Sequence, residues 1–382
     1  MFAADNIIAK AAQQTGLTAL GDSFFREGLE VFLAALDDAA IRPDRTDHLE
    51  QWLVRIVANR QRFVDDVARH PDILEQEVGA PIVISTLPRT GSTKLHRMLA
   101  ASGDFQTLSF WQVHMPSRLP GLPDAGRDER RRITQEFEDW MYRVSPEILS
   151  GHPQFTDEAE EDQWLLQCTF RHPNFAGVFD VPAYLSWLMQ VDPGPTFRSL
   201  RQQLQYSQWQ TGQAGKPWLI KSPTHFGAEA LLEQAFGGIK VIVSHRDPAK
   251  CIPSIAATSN GYRRLFSDAS QPANLGAMLA GMFSQAADSH LAWRSGTSMP
   301  VLDLPFAQIT HDGPAAARSV YDFLGMPLSE AAAARMLAWE AANGREKHGS
   351  ARYSAEMFGT SDEALRAIFA SYADRFGEYI GV

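Results

Sequence analysis

Residues 81–86 read Pro-Ile-Val-Ile-Ser-Thr, a short β-branched apolar run bounded by turn chemistry, and no other segment limits the fold as strongly. Such a run suits a strand buried on both faces. From Ser92 the period changes, with Leu95, Met98, Leu99 and Ser102 on one face of a helix. Strand, glycine-containing loop and helix follow one another directly, the opening of an α/β fold. Three more strand-like runs follow: Trp218-Leu219-Ile220, residues 239–243 and residues 301–304. Each precedes turn residues and a helical pattern, the alternation expected of a parallel sheet flanked by helices.

Around that core the sequence predicts helices. Ile7, Ile8, Ala11 and Ala12, then Leu29, Phe32, Leu33 and Leu36, recur at amphipathic spacing within residues 3–78. The stretch 117–215 has clustered prolines and helical pieces at 128–143, 157–170 and 197–210. No internal repeat, low-complexity tract or linker interrupts the chain. We therefore expect one domain over 1–382: a helical N-terminal segment (1–78), an α/β core (81–116 and 216–382) and a helical insertion (117–215). With 45% hydrophobic residues the chain can fill a large core. A net charge of −10 argues against nucleic acid as a partner, so an anionic ligand needs a local basic pocket. Cys168 and Cys251 are too few for a disulfide framework and lack zinc spacing. No leader-like segment or membrane-length apolar run is present, so a cytoplasmic location is expected.

Three segments carry chemistry. Leu87-Pro88-Arg89-Thr90-Gly91-Ser92-Thr93-Lys94 lies between strand and helix, where unpaired N–H groups and the helix dipole attract phosphate. It is not a Walker A loop, because Thr86 and Ser92 stand where Gly and Lys are required. Val243-Ser244-His245-Arg246-Asp247-Pro248 delivers Arg246 to the carboxyl edge of the sheet, and Ser254 follows on the next helix. Trp218-Leu219-Ile220-Lys221-Ser222-Pro223-Thr224-His225 ends a strand in a cation able to neutralise a leaving group, with a histidine nearby suited to take a proton. Each segment alone also reads as an ordinary capped turn.

As a set they resemble the sulfotransferase family that uses 3′-phosphoadenosine 5′-phosphosulfate (PAPS), most closely a bacterial branch whose loop reads Arg-Thr-Gly-Ser/Thr-Thr. The resemblance implies that Arg89, Thr90, Gly91, Ser92, Thr93 and Lys94 hold the 5′-phosphosulfate. It implies that Arg246 and Ser254 hold the 3′-phosphate, with a loose echo of the family's basic C-terminal loop in Arg345, Lys347, His348 and Gly349. Lys221 would assist the leaving group, and His225 or His114 would be the base. PAPS would be the co-substrate without a metal, the acceptor a hydroxyl of a small, hydrophobic molecule, and the 117–215 insertion its pocket or lid. The chain departs from relatives in three places. Lys94 stands where cytosolic members stack adenine on Trp, Gln112 stands where many relatives have Glu, and Pro305-Phe306-Ala307-Gln308 replaces an acidic segment.

Other groups read more plainly. The acidic run Asp157, Glu158, Glu160, Glu161, Asp162 is expected to decorate the first turn of a helix, with a general base or metal site as the sharper alternative. His152 reads as a surface loop residue unless the insertion folds over the site, in which case His152, Glu160 and Glu161 are the next candidates for the base. Asp303 resembles a Walker B ending but has no Walker A partner. Leu275, Met278, Leu279, Met282 and Phe283 form an apolar helical face expected to pack into the core. The rival functions are a nucleotide-dependent kinase and a non-catalytic nucleotide-binding member of the family.

Overall fold

The computed structural model describes residues 2–268, 272–344 and 353–381. Four parallel strands form one sheet: β1 (Ile82–Ile84), β2 (Leu219–Lys221), β3 (Lys240–His245) and β4 (Val301–Pro305), in the spatial order β2-β1-β3-β4. Val83 pairs with Ile220 on one side and Val241 on the other, and Ile242 pairs with Leu302. Alternation sends successive side chains to opposite faces. Val83, Ile220, Val241 and Val243 enter one hydrophobic cluster with Ile252, Leu279, Phe283 and Phe376. Ile82, Ile84, Leu219 and Ile242 enter another with Leu95, Met98, Ile309 and Val320. Both faces are covered, which is why these strands read as continuous apolar runs.

This arrangement also fixes where a ligand goes. The Ser92–Ala101 helix after β1 packs on one face, and the Pro248–Arg263 helix after β3 packs on the other. The loops leaving two adjacent strands therefore part in opposite directions and open a crevice at their carboxyl ends.

The N-terminal segment and the insertion share a third cluster. Helices Ala4–Thr15, Phe24–Ala35 and Thr46–Arg69 bury Ile7, Phe25, Phe32 and Trp52 against Trp140, Phe170, Phe175 and Phe266. Trp52 stacks on Phe266 with centroids 5.6 Å apart. The helical pieces expected at 128–143 and 197–210 run Arg127–Val144 and Gly194–Thr211. The helix expected over 157–170 is a correction: only Gln163–Leu166 is α-helical, followed by a 3₁₀ turn at Gln167–Thr169. The acidic residues before it lie in a loop whose Glu160 N–H donates to the Leu108 carbonyl, so they do not decorate a helix start. Leu275, Leu279 and Phe283 pack in the core as expected. No helix among the described residues is long and apolar enough to cross a membrane.

Gly28 lets the Phe24–Ala35 helix touch the insertion directly, since a Cβ there would sit 2.4 Å from the Phe170 carbonyl oxygen. Gly28→Ala is therefore expected to lower stability by about 1–3 kcal/mol through overpacking. An unchanged thermal midpoint would contradict this contact.

Candidate functional site

The crevice is lined first by the loop after β1. Arg89 (φ +68°) and Gly91 (φ +84°) turn the chain so that the Ser92–Ala101 helix points its amino end at the opening. Thr90 is fully buried: it donates to the Leu87 carbonyl (2.9 Å) and accepts from Ser244 (2.7 Å), tying this loop to β3. Its hydroxyl is thereby committed to structure, which leaves the loop amides as the donors for a ligand. Arg89 reaches across the crevice, with Nε donating to Ser254 Oγ (3.0 Å) and Nη1 to the Gly151 carbonyl (2.6 Å). Arg246 Nη1 donates to the Arg89 carbonyl (2.8 Å), and its guanidinium lies 4.3 Å from the Phe306 ring centroid. Arg89, Arg246 and Ser254, distant in sequence, thus meet at one place. Burial pushes the Arg89 guanidinium below its ordinary value, and the like charge of Arg246 adds to the push. Two cations held close in poorly hydrated surroundings form a site matched to an anion.

Lys221 closes the second wall. Its Nζ donates to Thr93 Oγ1 (3.0 Å) and is ion-paired with Glu161, while its amide donates to Asp162 Oδ1 (3.0 Å). Glu160 is buried against Arg97 (3.2 Å) and hydrogen-bonded to His152 Nε2 (2.8 Å). Burial alone would raise the Glu160 carboxyl, but the charges of His152, Arg97 and Lys221 outweigh it and hold the group well below the usual range. His152 Nδ1 lies 3.4 Å from Thr93 Oγ1. The segment carrying His152 is strapped onto the Pro248–Arg263 helix. Ser145 Oγ donates to the Gly261 carbonyl (2.8 Å), Tyr262 OH to the His152 carbonyl (3.2 Å), and a Cβ on Gly151 would meet Thr258 Oγ1 at 2.8 Å.

Several expectations change. Lys94 turns away from the loop to pair with Glu340 Oε1 (2.5 Å), so its charge is already neutralised. His225 is fully buried and gives its Nε2 to Asp162 Oδ2 (2.8 Å), the carboxylate that also anchors the Lys221 amide. That bond suits an anchor for Lys221 rather than a base open to an acceptor. His114 ends a short helix, Phe110–His114, and is buried among Phe110, Phe137 and Trp164 with Nδ1 3.1 Å from Thr134 Oγ1. No hydrogen bond or ion pair among the described residues joins it to the crevice. Gln112 is not a lost base but a helix cap: its Oε1 accepts from both the Ser109 amide and the Ser109 hydroxyl. Lys347, with Arg345, His348 and Gly349, lies outside the described residues.

Sequence reasoning undervalued Glu160, Glu161, Asp162 and His152, and did not single out Arg97. One signal pointed to them: no Lys or Arg stands between His152 and Arg171, so the acidic run needed partners from elsewhere in the fold. The ligating atoms of His152, Glu160 and Glu161 lie within 4.8 Å of one another. Arg97 and Lys221 already match the two carboxylates, so the group does not fit a metal ion.

The sequence model of the sulfotransferase family matches residues 81–330. Among solved structures, a sulfotransferase of Mycobacterium avium superposes with a TM-score of 0.86 at 22% identity, covering 98% of this chain and 97% of that one. A sulfotransferase of Mycobacterium tuberculosis superposes at 0.81 and 23% identity, covering 97% and 99%. These likenesses concern the fold. No curated protein matches the sequence.

Two buried histidines behind the site give it an acid limit. Burial, aided by the Lys221 charge, lowers His96 from 6.5 to about 3, and burial aided by His225 lowers His172 to about 3. Below pH 6.5 the unfolded chain takes up protons that the folded chain refuses, so stability falls as pH falls. We expect the thermal midpoint to drop already between pH 6.5 and 4.5, before ordinary glutamates titrate, and the His172→Asn variant to show a shallower drop. A flat midpoint across that window would contradict the assignment.

Proposed function

The chain belongs to the sulfotransferase family, and from that premise we propose that it moves a sulfuryl group from PAPS to a hydroxyl of a small, hydrophobic acceptor. The observation that carries this reading is the meeting of Arg89, Arg246 and Ser254 beside the amino end of the Ser92–Ala101 helix, with Lys221 on Thr93. Arg246 and Ser254 take the donor's 3′-phosphate. The amides of residues 90–93 and the Arg89 guanidinium take the 5′-phosphosulfate. Lys221, held by Thr93 and Glu161, neutralises charge on the oxygen between phosphorus and sulfur. Positioning and fixed charge dominate such a loose in-line transfer, as in phosphoryl transfer. The insertion residues 145–162 cover the acceptor side.

Arg246→Ala is expected to weaken binding of adenosine 3′,5′-bisphosphate by about ten- to a hundredfold, since a charge-assisted contact contributes about 1.5–3 kcal/mol. Binding of adenosine 5′-phosphate should change far less. Equal losses for both nucleotides in calorimetry would sink the 3′-phosphate assignment. Since Arg89, Arg246 and Lys221 supply the positive charge, a chelator is expected to leave nucleotide affinity and turnover unchanged. A strict Mg²⁺ requirement would move the chain toward nucleotide-dependent kinase chemistry.

A further inference from the structure

We propose that His152, oriented by Glu160, is the general base that takes the proton of the acceptor hydroxyl. This rests on the sulfuryl-transfer reading above and supplies the residue that reading leaves open. Glu160 is held ionised beside Arg97, so it can only accept a hydrogen bond from His152 Nε2. When the imidazole is neutral its one proton therefore sits on Nε2, and Nδ1 keeps its lone pair. That lone pair faces Thr93 Oγ1 at 3.4 Å, the atom to which Lys221 Nζ donates at 3.0 Å. The base and the cation of the leaving group thus flank one hydroxyl at the start of the phosphosulfate helix. A bond of 3.4 Å is weak enough for an incoming hydroxyl to replace.

Access separates His152 from the other two histidines. Its side chain is 12% exposed, whereas His225 is 0% and His114 4% exposed, and both of those are engaged elsewhere. Charges around it are balanced: Glu160 by Arg97, and Glu161, 3.8 Å from Nε2, by Lys221. Tyr262 fixes its carbonyl from the neighbouring helix. In the transfer step the sulfur–oxygen bond to the 5′-phosphate breaks and its electron pair stays on the bridging oxygen beside Lys221. The acceptor oxygen forms the new bond to sulfur, and its proton passes to His152 Nδ1. The imidazolium, facing Glu160, then releases that proton to solvent.

The test uses the full chain with PAPS and a series of para-substituted phenols of graded acidity, alongside calorimetric binding of adenosine 3′,5′-bisphosphate. His152→Ala should bind the nucleotide as the native chain does and lose about 10²–10⁴-fold in kcat with weakly acidic phenols. With the most acidic phenols, which arrive already ionised, the loss should nearly vanish. Added imidazole should restore part of the activity. His152→Gln, which keeps a donor for Glu160 but cannot take the proton, should behave like His152→Ala, and Glu160→Gln should lose less. A loss equal across all phenols, or no loss, overturns the assignment. So does a native chain that binds nucleotide and turns over no phenol. A native chain that does not bind the nucleotide overturns instead the donor reading on which the assignment stands.

Discussion

Three consecutive buried carboxylates, Glu160, Glu161 and Asp162, organise the site. An unpaired carboxylate removed from water costs several kcal/mol, so each must find a cation or donor. Their partners come from different elements. Arg97 belongs to the helix after β1, Lys221 to the end of β2, His225 to the turn beyond it, and His152 to the insertion. Satisfying all three at once draws the insertion onto the carboxyl edge of the sheet. The same contacts set the orientation of Lys221, whose amide and ammonium are held by two of the three.

The chain carries a net charge of −10, yet the crevice concentrates arginine and lysine. Arg89 adopts a left-handed backbone conformation that costs about 1–2 kcal/mol for a residue with a Cβ. Thr90, bonded to Leu87 and Ser244, and Arg246, bonded to the Arg89 carbonyl, hold the strained turn in place. The strain is spent on bringing a guanidinium and a row of amides to one point.

Much of this was legible in the sequence, for local reasons. The strands at 82–84, 219–221 and 240–245 are buried on both faces and so appear as apolar runs, the edge strand at 301–305 is only partly buried, and the chemistry at the strand ends sits at fixed offsets from them. Arg89, Lys221, Arg246 and Ser254 stand out at those offsets, and the structure places them at the same sheet edge. The insertion was not legible to the same degree, because its decisive pairings are long-range. Nothing near Glu160 in the chain announces Arg97, and nothing near Asp162 announces His225. The pairing of Lys94 was hidden for a related reason, since its position on the loop helix is local but its partner Glu340 is not. His114 and Gln112 would share a face only on an extended segment, and the Ser109 cap makes that segment a helical turn.

The strap of residues 145–152 rests on the very helix that carries Ser254, with Gly151 pressed against Thr258 and Tyr262 holding the His152 carbonyl. On the function proposed above, donor side and acceptor side are therefore two surfaces of one support. Any attempt to widen the range of acceptors by enlarging residues on this strap will push on the support and travel to the nucleotide. Useful variation for new acceptors must come from parts of the insertion that do not touch residues 248–263. On that reading, recognition of the constant partner and of the changeable one are mechanically joined, and the joint runs through a glycine.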